Sequence, residues 1–322
     1  MGIARLSPRS RRSGVGTIPG SATNSPVSGP QGRMGTIRAY VSLTKPRIIE
    51  LLLVTTVPTM VVADRGIPSV WLMVATVVGG TLAAGGANAI NMYVDRDIDR
   101  LMERTKNRPL VTGEIASPKA LVFALALEAV AFVWLWGFVN LLSAVLAVSA
   151  TAFYVFVYTL WLKRTSTRNI IIGGAAGAVP VLVGWSAVTN RLDWAPLVLF
   201  ALIFYWTPPH FWALAIRYRD DYQAADVPML PAVVGIRTTA VRIIVYTVVL
   251  WGLSVLFGTV GDMGVVYFAG AVVLGAVFLG FAVQLLRTQT TASAMRLFSY
   301  SITYITVLFT AMAVDQVVRT GV

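Results

Sequence analysis

Long apolar stretches separated by short polar segments dominate the chain. Helices of roughly 20 apolar residues can cross the ~30 Å hydrocarbon core of a bilayer. The pattern predicts nine such helices, at 48–64, 69–93, 119–138, 141–162, 169–188, 195–217, 240–260, 264–286 and 297–318. The first is short and contains Pro58, which a helix interior disfavours. We therefore expect an all-α polytopic membrane protein with about nine transmembrane helices.

The composition excludes a soluble protein and several kinds of site. Hydrophobic residues make up 57% of the 322 positions and charged residues 12%, against about 25% charged in soluble domains. There is no cysteine, which excludes disulfides, thiolate metal sites and thiol catalysis. The single histidine excludes a multi-histidine metal centre carried by this chain alone. A bound metal is expected to have oxygen ligands, which favours magnesium or calcium.

The N-terminal region differs from the rest of the chain. Residues 1–36 are rich in Ser, Gly, Pro and Arg and contain no acidic residue or apolar run. Such a segment cannot bury enough apolar surface to fold, so we expect a disordered basic tail at 1–39 and a transmembrane domain at 40–322. The composition is also compatible with an organelle transit peptide, although a cytoplasmic tail is the preferred interpretation.

The basic residues are distributed very unevenly between the predicted sides of the membrane. With nine spans, all but three of the 26 Lys and Arg residues fall on the side of the N-terminus. The exceptions are Arg65, Arg191 and Arg319. Because basic residues concentrate in cytoplasmic loops, this side is expected to be cytoplasmic, or matrix-facing in a mitochondrion. The net charge of +12 then reflects topology and an anionic partner rather than nucleic acid.

A first acidic cluster ends the second predicted span. Asn91, Asp95 and Asp99 recur every four residues, and each such step turns an α-helix by only ~40°, so they form one stripe; Asp97 falls on another face. Two carboxylates ~4 Å apart repel by ~4 kcal/mol at an effective dielectric of 20, which a divalent cation would reverse. The stripe favours magnesium bridging carboxylates and phosphate oxygens. The alternative is a solvated cap neutralised by the arginines interleaved with these acids.

A second acidic segment, with Asp220, Asp221 and Asp226, follows span six on the same side. Two acidic segments that follow spans two and six, four spans apart, are typical of a duplicated bundle. Arginine and lysine side chains bind phosphate oxygens. The candidates for this role are Arg104, Lys106, Arg108, Lys163, Arg164 and Arg168. Among them, Lys163 and Arg164 are favoured because the link between spans four and five is short.

Polar and small residues also occur within the predicted spans. Pro208 and Pro209 are expected to break span six, and His210 follows them, close to Trp206. His210 is interpreted either as a satisfied interior residue or as a group that orients a large substrate. Glu128 is expected to make a structural hydrogen bond. The small residues of 173–178 are expected to permit close helix packing.

The N-x-x-x-D-x-x-x-D run in a polytopic chain resembles the UbiA superfamily of intramembrane prenyltransferases. Several segments resemble the branch of that superfamily that acts on haem. They are LTKPRI (43–48), NMYVDRDIDRLMERTKNRPL (91–110), YTLWLKRTSTRNIIIGGAAGAVP (158–180), WTPPHFWALAI (206–216), PMLP (228–231) and RLFSYSITY (296–304). The resemblance covers about 40–318.

The resemblance implies a UbiA-type helical bundle with a central cavity. It implies farnesyl transfer from farnesyl diphosphate to a vinyl group of haem B, with water addition, to give haem O for haem–copper oxidases. The implied partners are these substrates, the lipid bilayer and, downstream, haem A synthase or oxidase assembly factors. The implied location is a bacterial cytoplasmic membrane or a mitochondrial inner membrane.

The resemblance also implies roles for individual residues. The implied catalytic and Mg²⁺-binding residues are Asn91, Asp95, Asp99, Asp220 and Asp221. The implied diphosphate-binding residues are Lys45, Arg47, Arg104, Arg108, Lys163 and Arg164. The implied haem-binding or substrate-binding residues are His210 and Trp206.

The second acidic segment departs from the pattern of the superfamily. A second D-x-x-x-D is not met, because Ala225 follows Asp221 by four residues. Asp226 follows by five, which is ~140° around an α-helix, and its role stays open. Two alternatives also stay open: a prenyltransferase acting on an aromatic quinone precursor, and a cation-coupled membrane transporter.

Overall fold

The computed structural model describes residues 33–321, except the side chains of residues 33 and 47–53. All regular secondary structure in the described residues is helical. The helices are α1 (Arg33–Thr44), α2 (Pro46–Asp64), α3 (Val70–Val94), α4 (Arg96–Asp99), α5 (Pro109–Thr112), α6 (Ser117–Phe138), α7 (Leu141–Ala152), a π-helix (Phe153–Leu162), α8 (Lys163–Thr165), α9 (Asn169–Thr189), α10 (Trp194–Arg217), α11 (Arg219–Ala224), α12 (Leu230–Val260), α13 (Val265–Thr288) and α14 (Thr291–Thr320). The predicted all-α architecture is confirmed.

Eight helices of the described chain are long and apolar enough to cross a membrane. They are 70–94, 117–138, 141–165, 169–189, 194–217, 230–260, 265–288 and 291–320. The remaining predicted span, at 48–64, corresponds to α2 (Pro46–Asp64), of which the described part Val54–Asp64 is apolar. The count is therefore eight by this criterion, close to the predicted nine.

Local sequence explains where several spans begin. Ser69 accepts a hydrogen bond from the Leu72 amide (3.2 Å) at the start of α3, and Asn140 accepts one from the Ser143 amide (2.8 Å) at the start of α7. These side chains satisfy amides that have no partner within the helix. Thr290 caps α14 in the same way.

The predicted break at Pro208 and Pro209 is wrong. Helix α10 runs without interruption from Trp194 to Arg217, and both prolines are buried in it. Neighbouring helices can shield and satisfy the backbone around an intramembrane proline. The backbone departs from helical geometry instead in α12, at Gly235, whose φ of 77° suits a residue without a Cβ.

The spanning helices pack into one bundle with several apolar clusters. Helix α10 packs against α9, α12 and α14, and α3 packs against α6. The largest cluster includes the buried rings of Trp212, Tyr267 and Tyr304. A separate cluster joins α1, α3 and α6 through Leu43, Ala89 and other residues, and it lies beside the first acidic motif.

The three basic residues assigned to the opposite side share one end of the bundle. Arg65 and Arg191 line a cavity of about 290 Å³ between the ends of α2, α9, α10 and α12. Arg319 hydrogen-bonds to the Asp262 carbonyl in the link between α12 and α13, next to Gly261 of that cavity lining.

The predicted boundary between tail and transmembrane domain falls inside a helix. Helix α1 begins at Arg33, before residue 39. Residues 1–32 lie outside the described residues, so the disordered tail stays a prediction, as does the central cavity.

Candidate active site

The first acidic motif forms a continuous stripe at the end of α3. The Asp95 amide donates to the Asn91 carbonyl (2.9 Å), and the Asp99 amide donates to the Asp95 carbonyl (2.9 Å). The helical repeat thus continues from α3 into α4, and the three side chains are almost completely buried. Asn91 Nδ2 donates to Asp95 Oδ2 (2.7 Å). The predicted stripe of three residues, spaced four apart, is therefore present.

Each side chain of the stripe contacts a basic residue from another segment. The contacts are Lys45 Nζ to Asn91 Oδ1 (2.8 Å), Lys163 Nζ to Asp95 Oδ2, and Arg108 Nη1 to Asp99 Oδ2 (2.6 Å). These cations offset the cost of burying two carboxylates close together. Three of the predicted phosphate-binding residues are therefore assembled directly over the stripe.

Lys45 has an unusual electrostatic environment. Its backbone is left-handed (φ 52°), at the junction of α1 and α2. Burial, followed by the positive charges of Arg108 and Lys163, lowers the pKa of Lys45 to about 7. A bound anion would favour its charged form. The side chain of Arg47, another predicted phosphate ligand, lies outside the described residues.

Arg164 makes a forked ion pair with Asp97. Its two terminal nitrogens donate to the two carboxylate oxygens of Asp97, each at 2.7 Å, and Nη2 also donates to the Val94 carbonyl (3.2 Å). The hydrogen bonds from Arg164 lower the pKa of Asp97 to about 2. The spacing of the motif excluded Asp97 from the stripe, and nothing in the local sequence indicated its partner.

The second acidic segment meets the first. Asp221 Oδ2 accepts a hydrogen bond from the Arg104 amide (3.3 Å). Below this contact, Ile98 and Met102 pack against Ala225 and Val227. The second acidic segment therefore contacts the loop that follows the first, although 117 positions separate Arg104 from Asp221.

The neighbouring acidic residues of this segment point elsewhere. Asp220 is exposed and pairs only with Arg219 (3.4 Å) among the described residues. Asp226 is also exposed, with a left-handed backbone (φ 52°). As they stand, the described residues contain no group of three or more His, Asp or Glu side chains placed to hold a metal ion. Of the five predicted ligands, three form the stripe. Asp221 contacts the Arg104 amide, and Asp220 is exposed to solvent.

A π-helix, which the sequence pattern did not predict, contacts the stripe. Tyr154 and Tyr158 stack within it, with ring centroids 5.3 Å apart. Thr159 Oγ1 donates to the Tyr154 carbonyl (2.8 Å) and accepts from Asn91 Nδ2 (3.2 Å). In an α-helix, Tyr154 and Lys163 would point ~180° apart. A π-helix has about 4.4 residues per turn, which brings both onto one face.

His210 lies in the interface of α10 and α14. Its ring stacks between Trp206 (centroids 4.4 Å apart) and Phe298 (4.6 Å), and Nδ1 lies 2.7 Å from Ser301 Oγ. Ser301 Oγ donates to the Phe298 carbonyl (2.6 Å) and can then accept from Nδ1 of His210, which would leave a lone pair on Nε2. Trp206 Nε1 also donates to Ser301, at the carbonyl (2.8 Å). His210 is thus a satisfied interior residue, and a substrate contact stays a prediction.

The remaining intramembrane predictions concern packing. Glu128 Oε1 accepts a hydrogen bond from Thr151 (3.2 Å), which confirms the expected structural bond. Gly173 lies against Tyr158: a Cβ there would stand 2.3 Å from the tyrosine ring, whereas a Cβ at Gly177 would meet nothing within 4 Å. Close packing is therefore confirmed at Gly173 and not at Gly177.

A comparison with protein families decides the family. The model of the UbiA prenyltransferase family matches residues 52–310. The chain belongs to that family. Its prenyltransferase character and its membrane location follow from this match together with the eight spans.

Relatives within the UbiA family cover almost the whole chain. The protoheme IX farnesyltransferase of Leifsonia xyli subsp. xyli is 52% identical over 292 residues, which are 89% of this chain and 95% of the relative. That of Frankia alni is 53% identical over 285 residues, 88% and 99% of the two chains. That of Mycobacterium avium is 51% identical over 298 residues, 91% and 96%.

Solved structures of UbiA proteins share the fold. Digeranylgeranylglyceryl phosphate synthase has a TM-score of 0.72 at 17% identity, covering 88% of this chain and 99% of that one. A UbiA homolog from Archaeoglobus fulgidus, bound to DMAPP and Mg²⁺, has a TM-score of 0.59 at 17% identity, covering 84% and 99%. The predicted UbiA-type bundle is confirmed.

Proposed function

We propose that this UbiA-family protein transfers a farnesyl group from farnesyl diphosphate to a vinyl group of haem B and, with addition of water, produces haem O. The similarity to protoheme IX farnesyltransferases along about nine tenths of the chain supports the choice of substrates. The observation that carries the chemistry is the buried stripe of Asn91, Asp95 and Asp99 in contact with basic residues. The second acidic segment contacts the loop that follows the stripe, at Arg104.

The basic residues around the stripe form the proposed diphosphate site. Lys45, Arg108 and Lys163 contact the stripe from three different segments, and Arg164 lies beside them. Charge-assisted hydrogen bonds from such groups suit the oxygens of a diphosphate. Arg104 joins them next to Asp221, and Arg47 is placed here by the resemblance alone. These cations would hold the leaving group and stabilise the charge that develops on it.

The residues of the stripe also fit a divalent cation. They offer amide and carboxylate oxygens, the donors that Mg²⁺ prefers. Asp95 Oδ1 is buried and has no hydrogen-bond partner among the described residues. We infer that Asn91, Asp95, Asp99 and Asp221 hold Mg²⁺, with Asp220 as the least supported member of the set. The Mg²⁺-bound A. fulgidus homolog supports the use of a divalent cation in the family. When bound, the ion neutralises charge on the departing diphosphate.

The proposed reaction is an electrophilic alkylation. The bond between C1 of the farnesyl group and the diphosphate oxygen breaks, and its electrons leave with the diphosphate. C1 then forms a bond to the terminal carbon of the haem vinyl group. Water adds to the resulting cation and loses a proton, which yields the hydroxyl. The walls of apolar and aromatic side chains, including Tyr154 and Tyr158, exclude water from the allylic cation until this step.

His210 and Trp206 are proposed to orient the haem. With Nδ1 as the donor to Ser301, His210 Nε2 would carry a free lone pair, and neutral imidazole is a common haem-iron ligand. Helical rise puts His210 about 10 Å below the end of α10 at Arg217. The acceptor would thus lie deeper in the membrane than the diphosphate.

Location and partners complete the proposal. The acidic segments and basic residues face the cytoplasm or matrix, in a bacterial cytoplasmic membrane or mitochondrial inner membrane. The product is proposed to pass to haem A synthase or oxidase assembly factors.

The test is mass spectrometry of haem after incubation of the purified protein, in lipid nanodiscs, with haem B, farnesyl diphosphate and Mg²⁺. We expect haem to gain one farnesyl group and one hydroxyl group, and we expect a chelator to abolish the gain. Parallel reactions with an aromatic quinone precursor test the other acceptor. Prenylation of that precursor with haem unchanged would refute the haem assignment. Cation flux across liposomes without diphosphate release would refute the enzyme assignment and favour a transporter.

A further inference from the structure

The two oxygens of the Asp95 carboxylate have very different surroundings. Oδ2 accepts hydrogen bonds from Lys163 and Asn91. Oδ1 accepts none from the described residues, although it is fully buried. A buried carboxylate oxygen without a partner is costly, and each such atom in a native structure calls for an explanation.

The guanidinium of Arg164 forms an ion pair with this oxygen but no hydrogen bond. The distance from Arg164 Nη2 to Asp95 Oδ1 is 3.8 Å, which is too long for a hydrogen bond. Both terminal nitrogens of Arg164 are instead engaged by Asp97, at 2.7 Å each, and Nη2 also donates to the Val94 carbonyl. Asp97 and Asp95 are therefore alternative hydrogen-bond partners for one guanidinium.

We propose that Asp97 is a positioning residue that holds Arg164 beyond hydrogen-bond distance of Asp95 and so leaves Asp95 Oδ1 available to a divalent cation. This inference rests on the metal site of the proposed function. An arginine fork and a carboxylate bind each other in a preferred bidentate geometry. Asp97, which is more exposed than Asp95, forms this bidentate pair with Arg164. Arg164 therefore does not need the buried Asp95 carboxylate as its partner. Arg164 also stays beside Lys163, where it can reach a diphosphate.

Asp97 and Arg164 are both partly exposed to solvent, which argues against a mainly structural role for their ion pair. The Asp97 side chain is 59% exposed and that of Arg164 is 32% exposed. Solvent-exposed ion pairs contribute little to stability. Loss of Asp97 should therefore change the behaviour of Arg164 much more than it changes the fold.

The test measures metal binding without turnover. Mn²⁺ replaces Mg²⁺, and free Mn²⁺ is followed by electron paramagnetic resonance during titration of the purified full-length protein in the absence of substrates. We expect Asp97→Asn to weaken Mn²⁺ binding about tenfold, since Arg164 then competes for Asp95 Oδ1. We expect Asp97→Asn to have little effect when combined with Arg164→Gln. Asp97→Glu should restore most of the affinity.

A matched control comes from the opposite end of the bundle. Asp193 also pairs with a nearby arginine, Arg191 (3.1 Å), far from the stripe along α9 and α10. Asp193→Asn removes the same charge and should leave Mn²⁺ binding unchanged. Thermal unfolding of every variant identifies any that fail to fold, in which case Asp97→Ser replaces Asp97→Asn.

The outcomes distinguish this role from the proposed function. Equal weakening by Asp97→Asn with and without Arg164 would show a through-space charge effect and would overturn the positioning role alone. The metal site and the reaction would then stand. Absence of Mn²⁺ binding by the wild-type protein would overturn both the metal site and this role. As a second readout, Asp97→Asn should raise the Mg²⁺ concentration for half-maximal activity and leave kcat at saturating Mg²⁺ nearly unchanged.

Discussion

Asp95 is the residue at which burial and charge conflict most directly. Its side chain is completely buried, and an isolated carboxylate in such a place would be neutralised or destabilising. Lys163 and Asn91 donate hydrogen bonds to one of its oxygens, whereas the other has a 3.8 Å ion pair with Arg164 and no hydrogen-bond partner among the described residues. Asp95 can therefore accept a further cation while its other oxygen keeps its hydrogen bonds within the fold.

Asp95→Asn should lower haem O formation by at least about a hundredfold, because the charge that would hold the cation is lost. The side chain keeps its shape, so the protein should remain inserted and folded. Haem mass spectrometry measures the product, and thermal unfolding in detergent controls for folding. Undiminished turnover by this variant would refute the metal role of the stripe.

At the level of elements, two helical segments far apart in sequence complete the site. Helix α11 presents Asp221 to the Arg104 amide, whereas Asp220 on the same short helix points to solvent. The π-helix and α9 meet through Tyr158 and Gly173. Both contacts depend on the angular position of a side chain on its helix, so each offers a matched pair of substitutions.

Asp221→Asn should raise the KM for farnesyl diphosphate about tenfold, whereas Asp220→Asn should change it by less than about twofold. The two carboxylates are adjacent and identical in chemistry, so Asp220 is the natural control. Steady-state kinetics with haem B in excess provide the measurement. Similar losses for both variants would restore Asp220 to the proposed ligand set.

Gly173→Ala should reduce both stability and activity, because the new methyl group would stand 2.3 Å from the Tyr158 ring. Overpacking of this kind costs about 1–3 kcal/mol. Gly177→Ala has open space and should behave like the wild type. Thermal unfolding and product formation are measured on both proteins. Equal behaviour of the two variants would contradict the close contact between α9 and the π-helix.

At the scale of the whole molecule, the two ends of the helical bundle differ in their charged residues. One end carries the acidic segments and most of the described basic residues, and the other carries Arg65, Arg191 and Arg319. Such an asymmetry favours one orientation in the membrane. The opposite end has its own polar cavity, so orientation also decides which compartment each surface meets.

Single cysteines can test the orientation, because the sequence contains none. A cysteine replacing Glu103, whose side chain is 77% exposed, should react with an impermeant maleimide only from the cytoplasmic side. A cysteine replacing Leu192, in the link between α9 and α10, should react only from the other side. Labelling of right-side-out and inverted vesicles gives the answer. The reverse pattern would show that the orientation is wrong.

The features that local sequence could predict are those set by regular periods. Apolar runs of the required length predicted the spans, since a bilayer imposes the same hydrophobic thickness on every helix. The four-residue spacing of Asn91, Asp95 and Asp99 predicted a stripe because backbone hydrogen bonding determines the angle between residues of one helix.

Other features depended on contacts between distant segments, and no local pattern predicts those. The pairing of Arg164 with Asp97, and the choice of Asp221 over Asp220, follow from how separate helices pack and rotate against each other. The continuous helix through Pro208 and Pro209 follows from its burial among neighbouring helices. The site is thus composed of residues whose chemistry is visible in the chain, but their assignment to partners arises only when the bundle has assembled.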